Sequence, residues 1–240
     1  MKRQILLGTI ALVAGSLMAA DSGPKDDVAA AAGKLADSGN YSWKSIMDFG
    51  PNSQFTPGPT LGKVDSEGYA WLSVTFNDNT VEGLKKGEKV AVKGDDGWQS
   101  VSEGDGGGGG GGGFDPVTFM GRRMRTMKPP ASEVQDLLPK VASLKKDGDV
   151  YSGDLTEEGA KDLLTMGFRR RGRGAAPTDA KGSVKFWIKD GALTKIQTHV
   201  TGKREFNGEM HDVDRTVTTD IKDVGVTKVS PSDEAKKKLS

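Results

Sequence analysis

The run from Ser183 to Lys222 constrains the chain more than any other stretch, because its turn residues and its alternation of apolar and polar side chains demand the same antiparallel strands. Asn207-Gly208 predicts a two-residue hairpin turn that pairs Phe206 with Glu209. Counting back sets Val200 opposite Arg215, Thr198 opposite Val217, Ile196 opposite Thr219 and Thr194 opposite Ile221. Opposed residues share a face, so Ile196, Val200, Val217 and Ile221 make one apolar surface, and Lys195, Gln197, His199, Asp214, Thr216, Thr218 and Asp220 belong to a face for water. The preceding strand, Ser183 to Lys189, turns at Asp190-Gly191. A plain two-residue turn there would set Phe186 against Lys195, so an odd-length loop or a bulge at the glycine is expected, bringing Phe186 opposite Ile196 and Val184 opposite Thr198.

Upstream, Tyr41 to Phe49 reads as a half-buried strand, and Pro51 to Pro59 as a loop. Leu61 to Val101 is a meander whose turns lie near Gly68, Asn77-Asp78-Asn79, Lys86-Gly87 and Gly94 to Gly97. Short strands with polar turns imply an antiparallel sheet, and a sheet with one apolar face needs a cover. Three helices are expected as candidates for it: an alanine-rich one over Val28 to Ala36, one over Ala131 to Leu144 capped by Ser132, and one from Thr156 to Met166. Val150 to Leu155 is a short strand, and Ser232 to Leu239 a frayed terminal helix. The fold class is therefore α+β, built on an open antiparallel sheet.

Met1 to Ala20 has the order of a secretory signal peptide: Lys2 and Arg3, an apolar core from Ile5 to Val13, then small residues. With no cysteine in the chain, neither a disulfide nor a lipidated N-terminal thiol is available, so an exported protein, periplasmic or extracellular, that holds together by packing alone is expected. Residues 21–240 then form one domain interrupted by a flexible glycine insert over 104–115, which lacks the Gly-Lys-Ser/Thr of a phosphate loop. The formal net charge of +1 gives no global field for nucleic acid, and no nucleic-acid partner is expected.

Lys93-Gly94-Asp95-Asp96-Gly97-Trp98, and above all Val184-Lys185-Phe186-Trp187-Ile188-Lys189-Asp190-Gly191-Ala192-Leu193-Thr194-Lys195, carry a resemblance to the LolA-like and LppX-like periplasmic lipoprotein-carrier superfamily. The resemblance implies a strongly curved half barrel with helices across its concave face and an apolar cavity for acyl chains. On that reading Leu72, Val74, Phe76, Phe186, Ile188, Ile196, Val200, Val217 and Ile221 line the space. The same residue types fill a packed core, and both readings stay open at this point.

Catalytic chemistry finds little to work with. His199 and His211 are the only histidines, no thiol exists, and Asp147, Asp149 and Glu158 lack the rest of a calcium loop. No cofactor, no metal and no enzymatic activity is expected. Arg169, Arg170, Arg171 and Arg173, with Arg122, Arg123 and Arg125 upstream, form the sharpest charge feature. Two functions follow: a binding protein for a lipid or lipidated partner, or a cell-envelope interaction module with a filled core whose arginine loops touch an anionic envelope surface.

Overall fold

The computed structural model describes residues 23–51, 53, 56–76, 79–102, 115–165, 176–206 and 208–240. The signal-peptide reading, the glycine insert up to 114, Arg169 to Arg173 and Asn207 lie outside these described residues.

Eleven antiparallel strands form one open sheet in the order β6-β5-β4-β3-β2-β1-β11-β10-β9-β8-β7. Two meanders meet at its middle. The first runs through β1 (Tyr41–Asp48), β2 (Thr60–Val64), β3 (Tyr69–Phe76), β4 (Asn79–Lys86), β5 (Lys89–Gly94) and β6 (Gly97–Ser100). The second runs through β7 (Lys145–Asp147), β8 (Val150–Asp154), β9 (Thr178–Lys189), β10 (Ala192–Phe206) and β11 (Glu209–Lys222), and β11 returns to pair with β1, with Trp43 opposite Ile221. The helices are α1 (Pro24–Asp37), α2 (Pro116–Thr126), α3 (Pro130–Leu137), α4 (Glu157–Thr165) and α5 (Asp233–Lys238).

The β10–β11 register is the one the Asn-Gly turn dictates: Phe206 opposite Glu209, Val200 opposite Arg215 and Ile196 opposite Thr219. The β9–β10 hairpin departs from expectation in one respect. Asp190 and Gly191 both take positive φ, 53° and 72°, and close a plain two-residue turn with Lys189 opposite Ala192. The register shift falls between Leu193 and Lys195, so the bulge is at Thr194 and not at the glycine. Leu193 and Ile196 are three residues apart, and only an extra residue between them lets both point inward. Beyond it, Phe186 faces Ile196 and Val184 faces Thr198 as expected.

Four helices cover one face of the sheet. α2 lies over β4 and β5, α1 and α4 over β9 and β10, and α3 packs against α1. One contiguous apolar cluster joins them to the strands, from Leu72, Val74 and Val92 to Phe186, Ile196 and Ile221. Several helix boundaries differ from the sequence reading. α1 begins at Pro24 rather than at Val28, since proline is preset for a first helical position. α3 starts after Pro129 rather than at a Ser132 cap, then tightens into a 3-10 turn over Leu138–Lys140, and Val141 pairs as an isolated bridge with Leu155. Pro139 lacks the N–H that a continued helix needs. β7 has no apolar alternation to mark it, its three residues being all exposed and charged.

Asp115 is not the end of an insert but the N-cap of α2, its side chain accepting from the N–H groups of Val117 (3.0 Å) and Thr118 (3.2 Å). Hydrogen bonds to that carboxylate, from the Thr118 side chain first, hold its pKa below the ordinary range. Met120 and Met124, one turn apart, are fully buried against the sheet.

The C-terminus is also more ordered in its contacts than a frayed helix. After β11 the chain crosses the opposite side of the sheet, where the buried carboxylate of Asp65 accepts from the N–H of Val229 (3.1 Å) as well as from Glu67 and Tyr69. Ser232 caps α5, and Ala235 and Leu239 pack with Tyr69, Leu84, Ala91 and Trp98 in a second cluster. The first meander is thus covered on both faces.

Candidate binding site

Strand pairing carries one face across the whole sheet. Trp43 stands opposite Gly62 and Ile221, Gly62 opposite Leu72, Thr219 opposite Ile196, and Ile196 opposite Phe186. All nine residues expected to line an apolar space belong to this covered face. Leu72, Val74, Phe186, Ile188, Ile196, Val200 and Ile221 are buried there, while Phe76 and Val217 are half-buried. Phe76 meets Phe119 of α2 edge to face, ring centres 4.9 Å apart. Alternation alone places these residues; the depth of each depends on which helix stands above it.

Polar groups on the same face were harder to foresee. Arg215, opposite Val200, is 7% exposed, and its Nη2 donates to the carbonyl of Leu163 in the last turn of α4. A cation at a helix C-terminus is favoured by the helix dipole. Burial, then the neighbouring Arg204, lowers its pKa from the usual guanidinium value. Tyr41, at the start of β1, is buried and receives a hydrogen bond from the Ala131 N–H (3.4 Å); burial pushes its pKa up to about 12. Tyr151 donates to Asp27 of α1 at 2.8 Å, tying that helix to β8.

The upstream arginines are engaged in the protein. Arg125 donates to the carbonyls of Val101 (2.7 Å) and Ser102. Arg123 and Glu133 attract one another across α2 and α3 without an ion-pair contact among the described residues, and burial lowers the one and raises the other. Neither Arg123 nor Arg125 is available in the way a solvated anion-binding loop requires.

On the open face of the second meander, His199 Nε2 lies 2.8 Å from Asp214 Oδ1, with Ser183 and Thr216 as cross-strand neighbours. Among the described residues no hydroxyl is hydrogen-bonded to the ring. The same residues hold no group of three or more His, Asp or Glu able to grip a metal.

The geometry defines an open antiparallel half barrel whose apolar face is covered by short helices. No family model and no curated protein matches the sequence. Among solved structures the chain is similar to lipoprotein LppX of Mycobacterium tuberculosis, with a TM-score of 0.45 and 12% identity over 83% of this chain and 93% of that one. It is likewise similar to LprF of Mycobacterium bovis, with a TM-score of 0.44 and 12% identity over 87% and 96% of the two chains. At these values neither a family nor a residue role is carried across.

Proposed function

We propose that this protein is an exported, non-enzymatic carrier that holds the acyl part of a lipid or of a lipidated partner between the concave face of the sheet and α2. The observation that supports this reading is how α2 sits. Met120 and Met124 stand directly over Gly83, where an added Cβ would come within 2.6 Å of Met124 Cγ and 2.9 Å of Met120 Cγ. The sheet therefore offers a bare backbone under two unbranched thioethers, the side chains most able to repack around a variable apolar guest. In sequence the helix directly follows the glycine run. Lifting α2 would expose Phe119, Met120 and Met124 at a cost of about 5 kcal/mol, and burying about ten methylenes of a guest chain at ~0.8 kcal/mol each offsets it.

A second reading, an envelope interaction module with a filled core, is favoured by the burial of Phe186, Val184, Val200, Met120 and Met124, each at most 2% exposed. Such side chains already satisfy one another. The two readings part on whether α2 must move. An ideal Cβ at Gly94 falls 3.3 Å from Cγ2 of Val117, and the chain has no cysteine of its own, so Gly94→Cys with Val117→Cys makes an unambiguous lock. The carrier reading expects acyl species to copurify with the protein in solvent extracts analysed by mass spectrometry. It also expects saturable binding of a fluorescent fatty acid that is lost in the oxidised double variant and recovered on reduction. No copurified acyl species and no saturable binding after mild delipidation would leave the filled-core reading standing.

A further inference from the structure

We propose that the outer face of the first meander carries a separate site for an acidic saccharide, in a cleft between β2–β6 and the C-terminal segment 228–232. The cleft, about 370 Å³, is lined by Lys63, Trp71, Glu82, Lys93, Trp98 and Lys228, among others. That volume falls in the range of small-molecule sites, roughly 300–1,000 Å³. It lies on the side of the sheet away from α2, because Trp71, Glu82 and Lys93 alternate with the inward-facing Leu72, Gly83 and Val92.

Its chemistry is that of an anion with an apolar flank. Three ammonium groups face one carboxylate, and only Lys93 has it as a partner, at 4.0 Å from Glu82. Among the described residues Lys63 and Lys228 have no carboxylate partner; the Lys63 ammonium instead lies 5.4 Å from the centre of the Trp71 ring. Glu82 in turn accepts from the Trp71 indole N–H (3.4 Å), so the half-buried indole is oriented where it lines the cleft. A sugar ring presents a flat C–H face to an indole, hydroxyls to a carboxylate such as Glu82, and, when carboxylated, a charge to Lys63, Lys93 and Lys228. Lysines on flexible stems suit a carboxylate whose direction varies along a polymer. A purely apolar ligand leaves three ammonium groups without purpose, and a neutral sugar leaves the excess charge unused.

The strap makes this site. Lys228 and the wall beside it are held by the Val229 N–H to Asp65 bond and by the packing of Ala235 and Leu239, so the cleft exists only once the C-terminus has crossed the sheet.

The test is calorimetric titration of the mature protein with trigalacturonate, with maltotriose, triglutamate and inorganic phosphate as the other arms, alongside the Trp71 indole N–H signal in a nitrogen–proton spectrum. Trigalacturonate is expected to bind at least ~10-fold tighter than maltotriose, to weaken as salt is raised and to move the Trp71 signal. Trp71→Ala should abolish binding. The exposed Lys63→Ala and Lys228→Ala, which leave the packed clusters untouched, should together weaken it by about 10-fold. Equal binding of maltotriose, preference for triglutamate or phosphate, no saturation by trigalacturonate, or unchanged affinity in the lysine double variant would each overturn the proposal. The Gly94–Val117 lock should leave this binding intact, which separates it from the carrier site.

Discussion

Trp43 lies across the backbone of Gly62, its cross-strand neighbour on β2: a Cβ at position 62 would come within 2.1 Å of indole Cε2 and Cζ2. The pair sits near the joint of the two meanders, where β1 meets both β2 and β11. Gly62→Ala should therefore force the indole out of its place on the concave face, at a cost of about 3 kcal/mol. Urea unfolding should show the lower midpoint, and tryptophan emission of the folded variant should shift to the red. An unchanged midpoint would mean that the ring is free to move aside.

Tyr41 gives the fold a distinct alkaline limit. Its pKa is raised by burial from 10.0 in the unfolded chain to about 12 in the folded one, so the stabilisation is present in full below pH 10. Above that the unfolded chain releases the phenolic proton while the folded chain keeps it, and stability falls as pH rises towards 12. The loss attributable to this residue approaches about 3 kcal/mol. Stability measured against pH for the protein and for Tyr41→Phe should diverge only in that window, and absorbance titration of the phenolate should report the late ionisation directly.

Arg123 and Glu133 should behave as a coupled pair. Arg123→Met leaves a half-buried carboxylate without its attracting charge and is expected to cost ~1–2 kcal/mol; Glu133→Gln leaves the guanidinium in the same position. The double variant should be more stable than the sum of the single losses predicts, because neither charge is then stranded. Equilibrium denaturation of all four proteins closes the cycle, and strict additivity would show that the two side chains do not sense one another.

The long strands of the second meander were legible because two independent signals agreed there. Asn207-Gly208 set one register, and the inward set of Ile196, Val200 and Ile221 demanded the same one. The bulge was legible in number but not in place: the three-residue step from Leu193 to Ile196 requires an extra residue, whereas its position at Thr194 depends on Asp190 and Gly191 both adopting left-handed backbone. α2 carried a readable start in Asp115-Pro116 and a readable face in Met120 and Met124, but Gly121 within it and the glycine run before it weaken the helical signal.

The amino-acid sequence by itself determined which side of each strand turns inward, since alternation, turn type and register are local and leave few choices. It also settled the α+β class. Only the tertiary structure decided what stands on each face: that Met120 and Met124 rest on Gly83, that Arg215 reaches the end of α4, and that the C-terminal segment crosses to wall a cleft beside Trp71. These contacts join residues far apart in the chain, and their strength comes from shape and burial that no single segment encodes.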